Sequence, residues 1–326
     1  MIKPKVAFYW CASCGGCEET VVDLNEDILK VTDAVDIVLW PVALDFKRKD
    51  VEALGDGEIA VSFINGAVRT GEQEEMVELL RKKSGLVVAF GSCAYLGGIP
   101  GLGNFCTRDT IFQRVYKEVP SVENPEGTTP QEKTAVDVGE LTLPEFYNTV
   151  KTLDQTISVD YYLPGCPPPP DLVMNAVNAI LTGQLPEKGA VLAPDKALCD
   201  TCPRAENKPE KLSIKEIKRP YEIKLDPEKC FLEQGIICLG PATRSGCGET
   251  CIKANMPCRG CFGPVDGVID QGAKGISMLA SILGVEGEEK MSDEDVNKLI
   301  NQVVDPAGTF YRFSLPASLL RRKRME

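Results

Sequence analysis

The stretch KVAFYWCASCGGCEETVVDLNEDILKV, residues 5–31, decides the fold. KVAFYW is a short apolar, aromatic run of strand type, CASCGGCEET is a Cys- and Gly-rich loop, and VVDLNEDILKV continues as helix. Strand, loop and helix in that order are the opening of an α/β unit. Further strands are expected over residues 35–40, 59–64, 86–90 and 159–163. Helices are expected over 71–83, where Met76, Leu79 and Leu80 share a face, and over 171–181. Residues 119–145, rich in Pro, Glu, Thr and Gly, read as a surface insertion. Short apolar strands alternating with helices predict an α/β, doubly wound parallel sheet.

From about residue 184 the pattern changes. Residues 199–264 carry eight cysteines with many Gly and Pro and little periodicity, so this part is expected to lack an apolar core and to fold on bound metal. Two helices, 276–283 and 293–304, flank an acidic linker, and a basic run, RRKR at 321–324, follows. The expected division is 1–183, 184–270 and 271–326.

Bulk properties narrow the chemistry. The 326 residues carry a net charge of −12, which argues against nucleic acid. No apolar run approaches the ~18 residues of a membrane span, and the start lacks a secretory or twin-arginine pattern, so a cytoplasmic protein is expected. Fourteen cysteines in a reducing compartment favour metal ligation over disulfides. There is no histidine, hence no His-based triad or His-containing zinc site.

Three cysteine loops fall at the carboxyl ends of predicted strands, where open α/β sheets bind ligands. They carry Cys14 and Cys17, Cys93, and Cys166, a Cys₄ set suited to a [4Fe–4S] cube. The remaining eight are Cys199-x₂-Cys202, Cys230-x₇-Cys238, Cys247-x₃-Cys251 and Cys258-x₂-Cys261, enough for two further sets of four. Zinc is the competing occupant, although Cys230 and Cys238 are too far apart for an ordinary zinc knuckle. Cys11 and Cys106 are left over, with a Cys11-for-Cys14 swap as an alternative.

CGGCE, GSCAYLGGIP and PGCPPP, with CFLEQGIICLGPATRSGC and PCRGCFGP, resemble the small subunit of nickel–iron hydrogenases over roughly residues 4–265. The resemblance implies a flavodoxin-like domain and three clusters. Cys14, Cys17, Cys93 and Cys166 match the proximal ligands, and Cys199, Cys202, Cys230 and Cys238 the distal ones. Cys247, Cys258 and Cys261 match the medial site, to which Cys251 would add a fourth thiolate and make it a third [4Fe–4S] cluster. Cys199 stands where the family usually has histidine.

Within the family the pattern is most similar to the gamma subunit of the cytoplasmic viologen-reducing, deazaflavin-non-reducing hydrogenase of methanogens. That similarity implies an electron-relay role with no catalytic residue in this chain. A large subunit would hold the nickel–iron centre, and a small [2Fe–2S] subunit and heterodisulfide reductase would receive the electrons. The small subunit of a deazaflavin-reducing hydrogenase, a lone ferredoxin-like carrier and a zinc-structured interaction protein are the alternatives. Glu18 reads as a helix-start carboxylate or a proton-path group, and Asn65 stands where relatives often have an acid. Arg244, Lys253 and Arg259 read as cluster-tuning or solvated charges, residues 167–170 as a stiffener of the Cys166 loop, and the basic end as a frayed terminus or docking tail.

Overall fold

The computed structural model describes residues 3–283 and 292–322. The acidic linker at 284–291 and residues 323–324 of the basic run lie outside the described residues.

The first half runs β1 (Lys5–Trp10), α1 (Gly16–Val22), α2 (Asp27–Ala34), β2 (Asp36–Leu39), α3 (Arg48–Glu52), β3 (Ile59–Asn65), β4 (Val68–Thr70), α4 (Gly71–Lys83), β5 (Ser84–Phe90) and α5 (Gly91–Leu96). After a 3₁₀ segment, Ile99–Phe105, come α6 (Arg108–Gln113), β6 (Lys133–Val136), β7 (Gly139–Thr142), β8 (Phe146–Lys151), β9 (Tyr161–Leu163) and α7 (Pro170–Thr182). Five strands form one sheet in the order β2-β1-β3-β5-β9, every pair parallel. This is the flavodoxin-like order, with its switch point at β1/β3.

Alternate side chains of each strand enter opposite layers. Val6, Phe8, Phe63, Val88 and Phe90 pack with α1, α2 and α7, while Ala7, Ile64, Val87 and Ala89 pack with α3 and α4. Burial on both faces is why these strands are continuous apolar runs rather than alternating ones. The helix expected after the Cys14 loop is broken in two, because Asn25 adopts φ 51° between α1 and α2. The 119–145 insertion is largely external, and all eight residues of the β6–β7 hairpin are exposed.

The second half contains α8 (Thr250–Lys253), α9 (Gln271–Ile282), α10 (Asp293–Ile300) and α11 (Pro306–Phe310). One expectation fails here. Leu198, Ile214, Phe231, Leu232, Ile236 and Ile252 form a buried apolar cluster with Leu279, Leu299, Phe310 and Leu315. The cysteine-rich segment has a core after all, built with the C-terminal helices. Its apolar residues are spaced irregularly, so periodicity could not display them. The basic end is not frayed within the described residues: Asn104 Nδ2 donates to the Arg321 carbonyl at 2.9 Å, and Arg322 donates to the Asn148 carbonyl at 3.2 Å.

Candidate metal centres

The sheet delivers the first four thiols to its carboxyl edge. Cys14 lies in the loop after β1 and Cys17 in the first turn of α1, which left-handed Gly15 (φ 88°) starts directly after Cys14. Cys93 is in α5, immediately after β5, and Cys166 follows β9. The four are mutual electrostatic neighbours: Cys17 senses Cys93, Cys166 and Cys14, and Cys93 senses Cys166 and Cys14. Burial, reinforced by these neighbours, pushes the Cys17 thiol up and that of Cys93 up to about 12. The Cys17 and Cys93 thiols are therefore favoured as neutral S–H; a metal ion deprotonates such thiols outright.

Space beside the sulfurs is kept by two glycines. A Cβ on Gly91 (φ +84°) would collide with Cys17 Sγ, and one on Gly98 (φ +56°) with Cys93 Sγ. Both positions are left-handed as well, so glycine is required twice over. Thr20 Oγ1 donates to the Pro168 carbonyl at 2.7 Å, tying α1 to the proline-rich loop that follows Cys166.

Cys199, Cys202, Cys230 and Cys238 share a second site. They line a cavity whose other walls include Phe231, Leu232, Ile252 and Arg204. Cys199 senses the other three, and burial pushes its thiol up to about 12. Cys238 is likewise raised by burial, to about 11, against opposing hydrogen bonds from the Gly240 and Cys258 amides.

Cys247, Cys251, Cys258 and Cys261 make the third group, and it lies between the other two. Cys261, raised by burial to about 12, senses Cys166 of the first group as well as Cys247 and Cys251 of its own. Cys258 senses Cys238 of the second group and Cys261, and its amide donates to Cys238 Sγ at 3.3 Å. Ser92 stitches the first junction, donating through Oγ to the carbonyls of Gly165 and Cys261. Neighbours of this kind link the third set to the other two, through Cys261 with Cys166 and through Cys258 with Cys238. The two left over stand elsewhere: Cys11 is buried on the opposite, α3/α4 side of the sheet, and Cys106 is exposed.

Several sequence readings change. Glu18 stands in the first turn of α1, but its carboxylate does not serve the free helix N–H groups: it is 2% exposed, accepting from Trp40 Nε1 and from Asn65 Nδ2, the latter at 2.6 Å. Burial raises its pKa, with those two donors opposing. Asn65 thus holds an acid supplied by α1. Arg244 is neither solvated nor beside a cluster site as a free charge: it is fully buried and pairs with Asp195 at 3.3 Å and with Asp266. Arg204 is a site residue that sequence reasoning passes over. Its only signal there is its place two residues after Cys202.

A parallel α/β platform carrying a row of four-thiol groups defines a redox-subunit class, and comparison with known proteins agrees. The family model described as "NADH ubiquinone oxidoreductase, 20 Kd subunit" matches residues 14–180. The chain is 41% identical over 325 residues to the iron-sulfur subunit of the F420-non-reducing hydrogenase of Archaeoglobus profundus, covering 98% of each chain. It is 38% identical over 322 residues to the corresponding F420-non-reducing hydrogenase subunit of Methanothermobacter thermautotrophicus, covering 98% of this chain and 97% of that one. Against a solved NAD+-reducing [NiFe]-hydrogenase chain the TM-score is 0.49, with 25% identity over 57% of this chain and 94% of that one. The chain belongs to the family of F420-non-reducing hydrogenase iron-sulfur subunits, and is an oxidoreductase component.

Proposed function

We propose that this chain is the electron-relay subunit of a cytoplasmic nickel–iron hydrogenase and holds three [4Fe–4S] clusters. Cys14, Cys17, Cys93 and Cys166 would hold the proximal cluster, Cys247, Cys251, Cys258 and Cys261 the medial one, and Cys199, Cys202, Cys230 and Cys238 the distal one. When bound, the clusters supply one-electron centres linking hydrogen oxidation at a nickel–iron centre in the large subunit to a [2Fe–2S] subunit and heterodisulfide reductase. The names of the relatives favour this branch over a deazaflavin-reducing enzyme.

One observation carries the reading: the proposed sites adjoin, since Ser92 Oγ bonds the Gly165 and Cys261 carbonyls and the Cys258 amide donates to Cys238 Sγ at 3.3 Å. Three unrelated zinc knuckles would have no reason to form a row. Among the described residues, moreover, no three His, Cys, Asp or Glu side chains close on a point that one metal ion could occupy. Zinc needs four ligands around a single ion, whereas in a cubane each thiolate takes a different iron, so the sulfurs stand farther apart. This chain's residues supply burial, room and fixed positions: Gly91 and Gly98 hold space, Phe231, Leu232 and Ile252 exclude water, and Ser92 locks two sites together. Fourteen reduced cysteines suit the cytoplasm, and among the described residues no helix is long and apolar enough to cross a membrane.

Replacing Cys258 by Ser in the purified complex tests the relay. About four iron should be lost and hydrogen-dependent viologen reduction should fall by an order of magnitude or more. Hydrogen–deuterium exchange at the partner's active centre should persist. Unchanged dye reduction would remove the middle site from the electron path.

A further inference from the structure

The distal thiols share their cavity with a cation that no acid neutralises. Arg204 is 4% exposed and forms part of the wall of the space enclosed by Cys199, Cys202, Cys230 and Cys238. Its guanidinium lies 3.9 Å over the Phe231 ring. Nη1 donates to the carbonyls of Asp226 at 3.1 Å and Lys229 at 2.9 Å, and Nη2 donates to Asn255 Oδ1 at 2.6 Å. All three acceptors are neutral, and among the described residues no carboxylate pairs with Arg204. Arg244, equally buried, has two aspartates instead.

A buried guanidinium without a counter-ion is strongly unfavourable. The missing negative charge has an evident source, since a cubane on four thiolates is an anion. It gains one more negative charge on reduction, so a fixed cation in its wall stabilises the reduced form more than the oxidised form. Charge near the cluster is one of the terms that set its potential.

The surroundings of the three sites differ in the same sense. Lys208 acts on Cys199 of the distal set, while Arg259 lies between the two sets and acts on Cys238 and on Cys258 of the medial one. Carboxylates act at the other sites, Glu18 on Cys17 and Glu249 on Cys247.

We propose that Arg204 sets the potential of the distal site, making it the strongest electron sink of the row by placing an uncompensated positive charge in its wall. The inference rests on the proposed cluster content. One electron leaves the reduced medial site and enters the oxidised distal site; hydrogen oxidation in the partner subunit supplies it, and the external acceptor removes it.

The test is redox potentiometry followed by electron paramagnetic resonance on the intact complex, comparing wild type with Arg204→Met, Arg204→Gln and Arg204→Lys. The distal signal is the one that Cys202→Ala removes. At the wild-type midpoint, the reduced-to-oxidised ratio of that signal should fall about tenfold in the Met or Gln variant, equivalent to ~59 mV for a one-electron couple. The Lys variant, which keeps the charge, should stay near wild type, and the other two signals should not move. An unchanged ratio in a loaded neutral variant, or an equal fall in the Lys variant, would overturn the assignment. Loss of the cluster from both neutral variants would overturn it too, leaving Arg204 a clamp on the Cys230 loop. A wild-type complex with no distal signal would instead sink the cluster reading itself.

Discussion

Gly91 joins β5 to α5 at φ +84°, with Cys17 Sγ in the space a side chain would need. Gly91→Ala must strain the backbone and displace a proposed ligand together. About a third of the iron should therefore be lost, measured per chain by metal analysis, with the distal and medial signals retained. Full iron content in that variant would show that the Cys17 position tolerates displacement. Candidate ligands of this kind are legible in the sequence because cysteine has few uses in a reducing compartment and the spacing is peculiar. Partners of charged residues were not legible. Glu18 with Trp40 and Asn65, and Arg244 with Asp195 and Asp266, join positions more than 20 residues apart. Arg204 was hidden for the same reason, since burial beside a cavity leaves no mark on local spacing.

At the scale of elements, Asp160 fastens the edge of the sheet. Its carboxylate accepts from Arg81 Nη1 at 2.6 Å and the Val87 amide at 2.8 Å, and Lys188 pairs with it at 2.6 Å. Burial pushes its pKa up, but Lys188, Arg81 and the Val87 amide outweigh burial and hold it below the usual carboxylate range. A depressed folded pKa means the contribution is fully present above the unfolded value, ~3.9, and is lost as pH falls through the folded one. Asp160→Asn should therefore cost ~1.5–3 kcal/mol at neutral pH. Urea unfolding should show the gap from wild type closing only as pH drops below ~4; a gap independent of pH would assign the loss to shape rather than charge. Strands and long helices of this half were readable because both faces are buried or one stripe is apolar. The break at Asn25, the paired β4 and β8, and the apolar cluster under the cysteine-rich segment were not. The first is a single left-handed residue inside a helical pattern, and the other two depend on contacts between residues distant in sequence.

Over the whole molecule, two architectures serve one purpose. The flavodoxin-like sheet brings thiols from three separate loops to one edge, and the irregular half continues the row away from it through Cys261 and Cys258. A chain of net charge −12 nevertheless places Arg204 and Lys208 at its distal end. Electron flow from proximal to distal would thus run toward positive charge. Whether twelve cysteines hold three four-iron clusters is decided by the iron, acid-labile sulfide, zinc and nickel content of the anaerobically purified complex. About twelve iron and twelve sulfide per chain are expected, with nickel carried by the partner. Eleven iron would remove Cys251 from the ligand set, and two or three zinc with little iron would contradict the electron relay altogether.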